Sequence, residues 1–318
     1  MRKLVMALLG VMMATASGAA FACDLCAIYR ATEAKASKPG VFTGVFEQYT
    51  RFGTLRDGGR KVENEAGQFL NSSITQFILG YQFNYRFGVQ LNVPYIHRSF
   101  KRAEGAGIDE GTVSGPGDAA LIGNALIYRR LREESTFLWN AVGGIKVPTG
   151  DADRLKEELS EEEPPPGAPE SGVHGHDLAL GSGSYDLIVG TDAYGRWKRM
   201  FVTAAVHYSI RTEGDFDYRF ANDLIFGLKP GIYLVLSDEG TLGLQLAVTG
   251  ETKGKDKLNG QELADTGITS LFIGPEISAT WHENLSASAG ADFPVIENNT
   301  SLQIVPDYRL RGAVNWRF

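Results

Sequence analysis

The chain has 318 residues, a formal net charge of −7, 10% aromatic residues and 38 glycines. That acidity argues against nucleic acid as a partner. A mean hydropathy of −0.14 is no obstacle to a membrane location, because a β-barrel shows lipid only every second residue.

The first 22 residues read as a signal peptide, with Arg2 and Lys3, an apolar run from Leu4 to Met13, and an A-x-A site at Ala20-Phe21-Ala22. Cleavage there leaves Cys23 first and predicts an exported chain. No apolar stretch of helix length follows, so any membrane span must be made of strands. Ala20 and Phe21 fit the lipidation pattern poorly. Cys23 and Cys26 form a C-x-x-C pair. Ala27 after it excludes haem attachment, and no βαβ pattern follows to make it thioredoxin-like. An oxidised pair pinning the mature N-terminus is the first reading; a metal site is the second, short of the usual four ligands. Residues 27–38 are helix-prone and end at Pro39-Gly40. Residues 23–40 are thus expected as an N-terminal periplasmic segment, either tucked into a barrel mouth or loose.

From Val41 onward the chain reads as strands: 41–51, 69–82, 85–98, 117–131, 135–147, 185–194, 197–211, 218–236, 241–251, 266–281, 285–293 and a terminal strand within 306–318. Pro230-Gly231 marks an expected bulge. Residues 100–116 read as a loop of Gly, Asp, Glu and Ser. The longest insertion, 148–183, carries an acidic run and Pro164-Pro165-Pro166, and is expected as a solvated outer loop with at most one helical turn around 153–159. Tight connections alternate with long polar ones, which is the habit of outer-membrane barrels with short periplasmic turns. In the last strand, Tyr308, Leu310, Gly312, Val314, Trp316 and Phe318 share one parity, while Arg309, Arg311 and Arg317 share the other. The aromatic terminus resembles the signal by which barrel strands meet the barrel-assembly machinery. The expected fold is all-β: an antiparallel transmembrane β-barrel of about twelve strands over residues 41–318, set in outer-membrane lipid.

Few constellations suggest chemistry. His97-Arg98-Ser99 and His207-Tyr208-Ser209 place His and Ser on one face, as a hydroxyl nucleophile would need. Val206, Tyr208 and Ile210 claim the lipid face, so His207 and Ser209 should point inward, away from a lipid substrate. His174 and His176 with Asp177 could ligate a cation, or simply belong to a charged loop. The Gly115–Asp118 and Gly181–Ser184 stretches are not phosphate cradles, having no following helix and no P-loop lysine. No catalytic residue, cofactor or metal site is assigned. Arg309, Arg311 and Arg317 are the lumen-lining candidates: unpaired, they would favour anions; paired with acids such as Glu47 or Asp292, they would narrow the bore.

Three motifs occur in order: Gly115-Pro-Gly117-Asp118, Gly144-Ile-Lys146-Val-Pro148-Thr149-Gly150-Asp151, and Leu180-Gly181-Ser-Gly183-Ser-Tyr185-Asp186. The set resembles the "putative MetA-pathway of phenol degradation" family of outer-membrane barrels. That resemblance implies an exported, transporter-like barrel passing small, often apolar or aromatic solutes, with no agreed catalytic residues. Cys23, Cys26 and the acidic proline loop depart from the pattern, and leave room for a scaffold that docks a periplasmic protein partner. The leading expectation is a passive outer-membrane channel; a lipid hydrolase is the weakest alternative.

Overall fold

The computed structural model describes residues 39–160, 164–237, 239–282 and 284–318. The readings placed on residues 1–38, including the signal peptide, Cys23 and Cys26, lie outside them. Period-two alternation becomes strand wherever one face meets lipid and the other a lumen. Seventeen strands form among the described residues. They are β1 (Gly40–Asp57), β2 (Arg60–Lys61), β3 (Phe69–Gln82), β4 (Phe87–Glu104), β5 (Gly107–Pro116), β6 (Ala119–Leu131), β7 (Ser135–Val147), β8 (Asp186–Trp197) and β9 (Met200–Ile210). Then come β10 (Tyr218–Arg219), β11 (Asp223–Ser237), β12 (Gly240–Lys253), β13 (Lys257–Leu258), β14 (Gln261–Glu262), β15 (Ile268–Trp281), β16 (Leu285–Asn299) and β17 (Gln303–Arg317).

Twelve of these are staves: β1, β3, β4, β6, β7, β8, β9, β11, β12, β15, β16 and β17. Each pairs antiparallel with its neighbours, and β17 closes on β1 from Phe42↔Arg317 to Arg56↔Gln303. Closure leaves no free edge, which is what a spanning sheet requires. The outward parity is an apolar belt, seen in exposed Val93, Val206, Leu228, Leu244 and Leu310. Aromatic side chains at the short-turn rim include exposed Phe83, Tyr85, Trp197 and Trp316, an interfacial girdle of the kind that barrels carry. No helix among the described residues is long and apolar enough to cross a membrane.

The structure corrects several local expectations. Residues 107–116 are not a loop: β5 pairs the upper part of β4, from Tyr95↔Pro116 to Glu104↔Gly107, so a hairpin arm rises beyond the barrel. The bulge on β11 lies at Tyr233/Val235, while Pro230 stays in register with Val202. The helical turn at 153–159 forms and residues 159–160, 165–167 and 169–170 are exposed, but residues 172–184 do not stand out in solvent; they fold inward. Glu47 does not face the lumen. It shares its parity with exposed Val41 and Val45, and accepts hydrogen bonds from Ser73 and Thr75 on the outer face of β3. The reason is legible: β1 carries apolar residues on both parities, with Phe42, Phe46 and Phe52 turned inward, so its amphipathicity does not choose a face.

Candidate functional site

The inward turn of residues 148–183 is driven by a few apolar side chains. Val173 and Leu178 join Phe52, Leu55, Leu70, Phe100 and Ile304 in one buried cluster. Leu180 reaches deeper, against Phe46, Ile74 and Ile96 on the barrel wall. Burying such side chains is worth about 1.5–3 kcal/mol each, enough to outweigh the acidic character of a loop whose charges stay near its surface.

The loop is stapled at its base by the three glycine motifs. Lys146, which is 1% exposed, donates from Nζ to Asp118 Oδ2 at 2.6 Å and to Asp186 Oδ2 at 2.8 Å, and also to Ser182 Oγ. Ser182 donates its N–H and its hydroxyl to Asp118 at 2.9 and 2.7 Å. The N–H of Gly150 donates to the other Asp118 oxygen at 3.0 Å. Arg211 extends the network to Asp186 at 2.8 Å and Asp223 at 2.9 Å. Gly150 and Gly181 approach so closely that a Cβ on Gly150 would lie 2.6 Å from the Leu180 carbonyl, so both positions need glycine. The motifs that carry the family resemblance therefore build an ionic clamp, not a phosphate cradle. Such a fully paired cluster resists losing any one member more than it adds net stability.

A second contact set joins the loop to its neighbours above the bore. His176 Nδ1 lies 3.0 Å from Glu158 Oε1, and its Nε2 lies 2.9 Å from Asp177 Oδ1. His174 Nε2 lies 3.3 Å from Asp265, and the two imidazoles stack at 5.6 Å. Tyr218 stacks against His176 at 6.3 Å and donates its hydroxyl to Asp256 at 2.7 Å. Burial disfavours charge on His176, yet Asp177 and Glu158 outweigh it and hold its pKa well above the ordinary value. Burial would raise the Glu158 carboxyl, but His176 holds it down at about 2. No group of three His, Cys, Asp or Glu among the described residues has a geometry able to hold a metal ion. The His174–Asp177 stretch is not a solvated run: it is largely buried and paired with Glu158 and Asp265.

Below the loop, fixed charges line the β11–β17 wall. Arg311 grips both Asp292 oxygens at 2.6 Å and also donates to Glu276, which Lys229 meets at 3.2 Å. Arg309 donates to Glu251 at 2.8 Å and lies 3.9 Å above the Phe272 ring. Arg317 sits at the short-turn rim, beside a cavity of about 400 Å³ lined also by Phe42, Tyr194 and Asn315. A smaller space of about 140 Å³ remains under the plug, near Phe52, Arg98 and His176. His207 is buried with Asp192 at 2.9 Å, and Ser209 stands opposite Asp223 on β11. His97 and Ser99 face outward; Asn71 donates to Ser99 at 3.1 Å, but no hydrogen bond among the described residues joins His97 to a hydroxyl. The clamp members Asp118, Lys146, Ser182 and Asp186 all lie in the three glycine motifs, whose spacing does not reveal that they meet. Inward parity of charged residues at strand tops was the available signal.

A closed twelve-stranded antiparallel barrel with an apolar outer belt is an outer-membrane β-barrel, and the outer membrane is where this chain resides. No protein-family model matches the sequence, and no curated protein is found to be similar. Among solved structures, the COG4313 outer membrane channel from Pseudomonas putida F1 superimposes with a TM-score of 0.60 at 13% identity, covering 89% of this chain and 97% of that one. The β domain of the Bordetella autotransporter BrkA gives 0.45 at 9% identity, covering 88% and 100%. LpxR from Salmonella typhimurium gives 0.36 at 10% identity, covering 87% and 100%. Identities this low speak for the barrel fold alone.

Proposed function

We propose that this barrel is a channel that passes small molecules across the outer membrane by diffusion, and that residues 148–183 form its outer gate. The observation that carries this reading is the inward-folded loop. A loop clamped inside the mouth by Lys146, Asp118 and Asp186, and latched at its top by His176, is a closure device, and a closure device implies something to close. The likeness in fold to a COG4313 outer membrane channel agrees with it. The resemblance to the phenol-degradation family suggests apolar or aromatic solutes. The reading assigns no catalytic residue. It keeps residues 1–22 as a cleaved signal and 23–40 as a periplasmic segment bearing Cys23 and Cys26.

Planar-bilayer recording on the purified protein tests the proposal. Discrete current steps, more frequent when the loop is loosened, are the expected result. A bilayer that stays sealed with the intact chain and with a chain lacking residues 152–179 would refute it.

A further inference from the structure

The short-turn rim is not uniform around the barrel. Over the sector from β3 to β9 it carries Arg86, Arg129, Arg130 and Arg132, then Arg196, Lys198 and Arg199 at the next turn, against Glu133 and Glu134. One ion pair among the described residues draws on that excess, Lys198 to Glu134 at 3.6 Å, with both side chains exposed. Arg196 donates instead to the carbonyls of Lys198 and Glu133, at 2.9 and 3.3 Å, and Arg199 to that of Leu234 at 3.0 Å. Arg86 and Arg129 lie over the Tyr85 ring at 5.5 and 5.8 Å. Arg130 and Arg132 are exposed, and no ion pair engages either among the described residues. The turns of the far sector read Asp238-Glu239 and His282-Glu283-Asn284, with Arg317 nearby. The basic excess is confined to one side.

The outer surface is concave on that same side. A groove of about 610 Å³ opens between β6 and β9, lined by Arg130, Phe137, Trp197, Met200 and Val202. Its apolar side chains are accessible: Phe137 is 41%, Met200 52% and Trp197 56% exposed. Gly195 forms the floor. A Cβ placed there would lie 3.5 Å from Val202 and 3.9 Å from Phe137, ordinary contact, so the hollow can be filled without strain. Arg130 stands opposite Phe137 in the β6–β7 register, at the edge of the groove. An apolar trough thus ends at a guanidinium with no carboxylate on it.

We propose that this sector holds a phospholipid of net negative headgroup from the periplasmic leaflet, with one acyl chain in the groove over Gly195 and the phosphate on Arg130 and Arg132. A guanidinium meets a phosphate with a fork of donors, and Trp197 suits headgroup depth as interfacial aromatics do. Each Lys or Arg near an anionic surface strengthens binding about fivefold. A zwitterionic headgroup offers the same phosphate but adds an ammonium that the basic rim repels. The proposal does not draw on the channel reading.

Tryptophan quenching by lipids brominated on their acyl chains tests it, with the full chain reconstituted in phosphatidylcholine vesicles. The Trp281→Phe/Trp316→Phe chain reports on the basic sector through Trp139 and Trp197. The Trp139→Phe/Trp197→Phe chain reports on the far sector. In the first, brominated phosphatidylglycerol should bind about tenfold or more tighter than brominated phosphatidylethanolamine, and Arg130→Gln/Arg132→Gln should bring that ratio towards unity. In the second the two lipids should quench alike. Gly195→Leu, which fills the groove, should weaken quenching by both lipids in the basic sector, and unchanged heat-modifiability on gels checks that each barrel is folded. Equal quenching by the two lipids in the basic sector would overturn the proposal. So would a preference that survives loss of the two arginines, a preference that the far sector shares, or unchanged quenching in Gly195→Leu. Binding of soluble polyglutamate without any lipid preference would give the patch to an acidic protein, and overturn it too.

Discussion

The two mouths of this barrel solve opposite problems with the same strands. At the periplasmic rim the connections are short, as at residues 132–134 and 198–199, and a cavity of about 400 Å³ lies open beside Arg317. At the outer rim the connection from β7 to β8 spans 148–185 and turns back into the bore. Tight turns have no side chains to spare for a lid. A long segment does, provided its apolar residues find a wall and its base is tied. The difference puts the inward-folded segment on one loop and its staple, laid onto a closed barrel of twelve staves.

The contrast can be broken most severely by removing the loop. Replacing residues 152–179 with a short Gly-Ser bridge should raise single-channel conductance several-fold while the barrel still migrates as folded on unboiled gels. Next in size is Lys146→Met. It leaves Asp118 buried with no cation beside it and Asp186 with Arg211 alone, and should cost about 3–5 kcal/mol at the outer mouth. A lowered unfolding midpoint in denaturant would register it, and Asp118→Asn with Asp186→Asn should recover part of the loss. Arg311→Met acts lower down, leaving Asp292 and Glu276 undercompensated. Reversal potentials in a salt gradient should move toward cation preference, more at low ionic strength than at high.

A smaller effect comes from pH, through the latch. The His176 pKa is raised in the folded state, so its contribution is complete below the ordinary histidine value of 6.5 and is lost as pH rises through the raised folded value. The Glu158 pKa is depressed, so its contribution is complete above the ordinary glutamate value of 4.5 and is lost as pH falls through about 2. Asp177, Asp265, Asp256, Lys253, His174 and Tyr218 face the same space, and set the background against which these two titrate. The loop should therefore hold best between about pH 4.5 and 6.5, with channel openings more frequent on the alkaline side. His176→Gln should flatten that alkaline rise. The smallest change is expected from Glu47→Gln on the outer wall, below about 1 kcal/mol by thermal unfolding, because Ser73 and Thr75 can hydrogen-bond an amide as well.

Much of this architecture was legible in the sequence. Alternation in β9, β12 and β17 announced staves with one greasy face, and the parity of connection lengths announced which end was which. The inward parity of Arg309 and Arg311 could be read directly, but not their partners: Asp292 was a candidate, whereas Glu276 and Glu251 lie on strands whose register no local pattern sets. β1 misled about Glu47 because both of its faces are apolar. The acidic, proline-rich stretch looked like a solvated loop because composition averages over it, and hides that Val173, Leu178 and Leu180 are spaced to enter a bore.

What the sequence determined by itself was the period of the chain: every second side chain apolar, strand after strand, which only lipid on one side and a lumen on the other can satisfy. What tertiary structure alone decided was the meeting of Asp118, Lys146, Ser182, Asp186 and Arg211. Their separations along the chain carry no information about distance until closure of the barrel sets the register. Periodicity is a local property, and an ion pair across a closed sheet is not.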